Sequence, residues 1–114
     1  GLSMGGFHTL NISLNYPDMF NYSGMFSAAI GVSDPTISPM YQDMDAKIAT
    51  YFSKKPALLW IGCGDTDFLI QANRDFVKKL QDGGYPHTYY ENDGGHIWRN
   101  WRIYFTEFVP LIFK

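Results

Sequence analysis

The chain has 114 residues, a formal net charge of -2, 46% hydrophobic residues and 18% aromatics. That composition suits one globular unit with a single core, and its slight acidity gives no electrostatic case for nucleic acid. No apolar run approaches the roughly 18 residues of a membrane span, and the lone Cys63 excludes an internal disulfide while leaving the redox compartment open.

The first stretch, GLSMGGFHTL, fits G-x-S-x-G over residues 1–5, a pattern that sets a serine on a sharp turn between a strand and a helix. Residue 1 already belongs to the motif, so the leading strand is expected to lie outside this sequence. Signal peptides are for the same reason not open to judgement. Residues 4–15 read as a helix, stopped at Tyr16-Pro17 because the residue before a proline avoids the α region. Residues 22–30, YSGMFSAAI, read as a buried strand. Residues 31–44, rich in Pro, Asp and Ser, read as a loop and as a candidate for substrate contacts. A short helix is expected over 45–52, followed after Pro56 by the buried strand ALLWIGC. Leu69, Ala72, Phe76 and Leu80 recur at helical spacing, and Gly83-Gly84 close that helix. YPHTYYEND makes a third strand. Trp98, Trp101, Phe105, Phe108 and Ile112 mark a last helix, with Pro110 expected to kink or end it.

Alternating strands and helices imply an α/β fold with a parallel sheet and right-handed crossovers. Such sheets build their sites in loops at the carboxyl ends of the strands. Ser3 lies at a turn into a helix, Asp65 and Asp67 follow the LLWIGC strand, and His96 follows the third strand. The order Ser, Asp, His is that of the α/β-hydrolase triad. Each residue also has a plainer reading. Ser3 suits a helix N-cap, either aspartate suits a cap or turn, and His96 suits an ordinary loop histidine. Gly6 favours the sharp turn, because a small residue there lets the helix pass close to its strand. His8 falls on another helix face and His87 at the far end of its strand, which leaves His96 as the placed histidine. Between Asp65 and Asp67 the residues alone leave the choice open. His96 with Asp93 offers two possible metal ligands and no H-E-x-x-H occurs, so no metal site or cofactor is expected.

The blocks GLSMGGFHTL, IGCGDTDFL and DGGHIWRNWRIYFTEFVPLIF resemble the C-terminal half of the esterase D/feruloyl esterase family, the α/β-hydrolases of carbohydrate esterase family 1. The resemblance runs over nearly the whole chain. It implies the C-terminal part of an α/β-hydrolase, about three parallel strands with flanking helices, with residues 1–114 a partial domain starting at the nucleophile turn. It also implies Ser3 as nucleophile, His96 as base and Asp67, through G-x-x-D-x-L, as acid. The Met4 backbone N–H becomes one oxyanion donor, with the other on a loop preceding the turn. A serine hydroxyl needs such a base to become nucleophilic, and the acid fixes the base's tautomer.

The expected activity is serine carboxylesterase action on feruloyl or acetyl esters of plant polysaccharide. Siderophore esterases and S-formylglutathione thioesterases are alternatives among the relatives, and the resemblance favours a secreted or periplasmic setting. A prolyl-oligopeptidase-type peptidase shares G-x-S-x-G-G, but W-R-N-W-R after His96 favours the esterase. A non-catalytic α/β binding module is the alternative from another class. Trp98 and Trp101, at i, i+3, read first as core and second as walls of an aromatic acyl pocket, with Trp98 the candidate substrate contact. By itself the chain is expected to be nearly inactive, with strand 22–30 an exposed edge that self-associates or depends on a preceding half.

Overall fold

The computed structural model describes residues 1–30 and 42–113. Most of the 31–44 loop lies outside the described residues. The elements in chain order are α1 (Met4–Asn15), β1 (Tyr22–Phe26), α2 (Met44–Ser53), β2 (Leu58–Gly64), α3 (Ile70–Asp82), β3 (Thr88–Asn92) and α4 (Trp98–Ile112). The strands form one parallel sheet in the order β1-β2-β3, with α2 and α3 as the crossovers.

β2 reads as an unbroken apolar run because both of its faces are covered. On one face, Met25, Leu59 and Ile61 pack against Leu10 and Leu14 of α1, Ile48 and Tyr51 of α2, and Phe76, Val77 and Leu80 of α3. The opposite face is aromatic. Phe26, Trp60 and Tyr90 meet Tyr104 and Phe108 of α4 with ring centroids 5.8–6.0 Å apart. Strand side chains alternate faces, so the register Phe26↔Gly62↔Tyr90 and Met25↔Ile61↔Tyr89 sorts the two layers. Among the described residues, no helix is long and apolar enough to cross a membrane.

Three boundaries differ from the sequence reading. β1 ends at Phe26 instead of running to Ile30, because Ser27 turns to φ 48° and gives its N–H to Gly62 O at 2.8 Å. Ala28, Ala29 and Ile30 are therefore a buried loop. β3 begins at Thr88, since the Tyr85 N–H is spent on Leu80 O at 2.9 Å and Pro86 has no N–H to give. α4 continues through Pro110 to Ile112. A proline this near the end removes one bond of the final turn, and the helix runs on.

The outer edge of β1 is partly paired. Leu2 bridges Phe26 in parallel, Gly1 N donates to Gly24 O at 2.6 Å, and Phe26 N donates to Gly1 O at 2.8 Å. The edge thus has partners near Phe26, where the sequence reading expected bare N–H and C=O groups throughout. Beside its first residues a groove of about 390 Å³ is lined by Ile12, Phe20, Tyr22, Phe105 and Phe108.

Candidate active site

Ser3 stands immediately before α1 at φ 57°, ψ -116°. A positive φ is uncommon for a residue with a Cβ and costs roughly 1–3 kcal/mol, a strain that concentrates at functional turns. The surroundings hold it firmly. The Ser3 N–H donates to Phe26 O at 2.8 Å, while Ser3 O accepts from Gly6, Phe7 and Ala29 at 2.9, 3.2 and 3.0 Å. Its side chain makes no cap bond to the helix, so the N-cap reading does not describe it. Gly6 is buried, and a Cβ there would stand 2.7 Å from the Ala28 Cβ. Only glycine lets α1 start this close to the loop after β1.

Asp67 follows β2 and its side chain is fully buried. Its Oδ1 accepts the Leu69 N–H at 2.9 Å, fixing the turn into α3. Its other oxygen, Oδ2, lies 2.9 Å from His96 Nδ1. His96 Nε2 in turn lies 3.0 Å from Ser3 Oγ. Residues separated by 93 positions thus meet in one line. Asp65 takes a different place: it is exposed, and its Oδ1 accepts the Gly94 N–H at 3.2 Å. Thr66 N–H returns a bond to Gly94 O at 3.1 Å, so the two turns clamp each other. Gly94 makes this possible at φ +104°, which residues with side chains rarely adopt.

Buried amides brace the same loops. Asn100 of α4 is fully buried, gives Nδ2–H to Gly95 O at 2.9 Å and accepts from Asn92 Nδ2 at 3.0 Å. The Tyr104 hydroxyl donates to Asn92 Oδ1 at 2.8 Å. Asn73 of α3, also fully buried, donates to both Ala28 O and Leu69 O at 3.0 Å. It thereby joins the loop beneath Ser3 to the turn beneath Asp67. Sequence reasoning passed over all of these. A signal existed, because Asn73 falls on the stripe of Leu69, Phe76 and Leu80, and Asn100 sits one turn before Tyr104. A polar residue on an apolar stripe is a buried polar residue, and it needs partners.

Met4 opens α1, so its N–H has no acceptor within the helix and is available to an anion beside Ser3. Trp98 is 70% exposed. With Leu2, Phe26, Trp101, Arg102 and Phe105 it lines a groove of about 530 Å³ that starts at the residues just before Ser3. Trp101 is half-buried, contacts the His96 ring and donates its indole N–H to Ser27 Oγ at 3.1 Å. Neither tryptophan is a plain core residue. Among the described residues, no cluster of three or more His, Cys, Asp or Glu side chains is arranged to hold a metal.

A parallel sheet flanked by helices, with a strained serine at the entry to the first helix, is the architecture of an α/β-hydrolase. A family model described as "Putative esterase" matches residues 1–112, and the chain belongs to that esterase family. It is 34% identical over 65 residues to an acetyl esterase of Caldicellulosiruptor saccharolyticus, covering 55% of this chain and 24% of that protein. It is 28% identical over 115 residues, the whole of this chain but 14% of the relative, to an endo-1,4-beta-xylanase/feruloyl esterase of Xylanibacter ruminicola. Among solved structures, a ferulic acid esterase superposes with TM-score 0.76 at 26% identity, over 98% of this chain and 49% of the other. An S-formylglutathione hydrolase from Staphylococcus aureus gives the same TM-score, 0.76, at 24% identity and shares the fold, again over 98% of this chain and 49% of its own. The chain therefore spans about half the length of these solved structures and a quarter or less of the curated relatives.

Proposed function

We propose that these residues carry the nucleophile, base and acid of a serine carboxylic ester hydrolase acting on feruloyl or acetyl esters of plant polysaccharide. The observation that carries the reading is the continuous line Ser3 Oγ, His96 Nε2, His96 Nδ1, Asp67 Oδ2, with both contacts at 2.9–3.0 Å. As Ser3 Oγ attacks the ester carbonyl, its proton passes to His96 Nε2 and the carbonyl π electrons move onto oxygen. The Met4 N–H stands to receive that oxyanion. Collapse expels the alkoxide, which takes the proton back from His96, and water repeats the cycle on the acyl-serine. Asp67, buried and accepting from Nδ1–H, keeps Nε2 free as the base and stabilises the imidazolium. Trp98, at the mouth of the groove, is the substrate contact of this reading.

The acyl groups are taken from relatives named acetyl esterase and feruloyl esterase. The test is a panel on the full-length protein comparing p-nitrophenyl acetate, methyl ferulate, a siderophore trilactone and S-formylglutathione. Turnover of the first two is expected to dominate. Preference for S-formylglutathione would move the reading to thioesters, and peptide cleavage with no ester turnover would overturn it.

A further inference from the structure

We infer that Trp101 is a positioning residue that couples the placement of His96 to that of Ser3; this deepens the esterase reading and rests on it. Two independent contacts carry the inference. The indole stands edge-on to the His96 imidazole, with centroids 5.0 Å apart and planes at 87°. Its Nε1–H donates to Ser27 Oγ at 3.1 Å.

Ser27 is well placed to pass that contact on. It is fully buried and lies inside the short segment that grips the Ser3 peptide from both sides. Phe26 O accepts the Ser3 N–H at 2.8 Å, and the Ala29 N–H donates to Ser3 O at 3.0 Å. Ser27 itself is held at φ 48°, a conformation that persists only where the surroundings over-determine it. Trp101 therefore touches the base directly and the nucleophile's backbone support through one hydrogen bond.

The other aromatic neighbours cannot do this. Phe68 lies 5.1 Å from the imidazole but is 76% exposed, and its ring has no polar atom to be tied by. Trp98 packs on Trp101 at 5.2 Å and faces water. The proton transfer from Oγ to Nε2 depends on their separation, and a misplacement of about 1 Å costs up to ~100-fold in rate. A residue that fixes both sides of that gap acts on kcat.

The experiment uses the full-length protein and two substitutions that break the same bond. Trp101→Phe keeps a ring against His96 and loses the N–H. Ser27→Ala loses the acceptor. With p-nitrophenyl acetate, each should lower kcat about tenfold with KM within about twofold, and the double variant should be no slower than the slower single. Fluorophosphonate labelling of Ser3 should slow in parallel. A purely structural role would lower Tm and leave the kcat of folded protein untouched, and that result, or losses that multiply in the double variant, would overturn the inference. If the wild-type protein turns over the ester, Ser3→Ala does not, and Trp101→Phe is unimpaired, this inference alone falls. If the wild-type protein hydrolyses no ester, the esterase reading falls and takes this inference with it.

Discussion

At the β3 edge of the sheet, the Arg74 guanidinium grips Glu91 through two bonds of 2.9 and 2.7 Å, and the Tyr89 hydroxyl adds a third at 2.6 Å. At the β1 edge, Phe20, Tyr22 and Phe105 are each about half-exposed or more beside an apolar groove. Charged side chains are the usual means of finishing an edge for water. Among the described residues, the β3 edge carries such a finished charged cluster and the β1 edge carries apolar side chains. The site straddles this asymmetry: Asp67 and His96 hang from the β2 and β3 loops, and Ser3 from the β1 side. Asp67 and His96 are thus anchored by polar ties within these residues, while the support of Ser3 is a backbone clamp next to exposed apolar surface.

The largest effects should fall on the line that joins the two sides. In the full-length protein, Ser3→Ala or His96→Ala should lower kcat by about 10⁴-fold or more, and Asp67→Asn by about 10⁴-fold through the wrong tautomer. Asp65→Asn retains an oxygen to accept the Gly94 N–H, and less than about a tenfold loss is expected. Kinetics on the four variants would decide. A crippling Asp65→Asn would mean that the clamp, and not the buried carboxylate, sets the chemistry.

Next in size is the contrast in how firmly the two sides are held. Asn100→Ala takes one of two donors from Gly95 O, which keeps the Ile97 N–H, and leaves the Asn92 Nδ2–H without its acceptor in a part-buried place, a loss of about 1–3 kcal/mol. Tyr22→Ser on the open flank of this chain should stay within about 0.5 kcal/mol. Denaturant melts of both would measure the difference. Equal losses would show that the flank contributes to stability no less than the loops beneath the site.

The smaller polar and aromatic partners bear on how much could be read beforehand. Among the described residues, the four helices follow from apolar spacing and from Pro or Gly breaks, which act locally, and the parallel sense of the strands follows from their alternation with helices. The 22–30 strand came out too long because Ala28, Ala29 and Ile30 are as apolar as the strand, and nothing in composition announces that Ser27 leaves the β region. Ser3 and His96 stood out as candidates from motif and order, and the structure brings them within 3.0 Å of each other. Asp67 was separable from Asp65 only by resemblance; in the structure it is Asp67 whose carboxylate reaches the imidazole, while Asp65 faces Gly94. Asn73 and Asn100 show in the sequence only as polar residues on apolar stripes; their partners, like Asn92 and the Ser27–Trp101 bond, depend on long-range contacts that local pattern does not encode.

A modest pH effect is expected at the finished edge. The hydrogen bonds from Arg74 hold the Glu91 carboxyl below its usual range. A depressed folded-state value stabilises above the unfolded value, and that contribution disappears as pH falls through the folded one. Glu91→Gln should therefore destabilise at neutral pH by less than about 1 kcal/mol, since the pair is partly solvated. The deficit should vanish in acid. Thermal melts at the two pH values would test this, and a deficit that persists in acid would assign Glu91 a packing role in place of an electrostatic one.

The smallest expected effect lies between the two edges, on β2. Cys63 is the chain's one thiol, is fully buried, and precedes the Asp65–Asp67 turn. Burial, with the negative charge of Asp67 adding to it, pushes the thiol up to about 12. The thiolate is the reactive form, and almost none exists at neutral pH. Iodoacetamide should leave the native protein unmodified and label it stoichiometrically once denatured, and Cys63→Ala should leave kcat near wild type. Rapid native labelling would mean that the end of β2 opens to water, and the firm support assigned to Asp67 would then have to be abandoned.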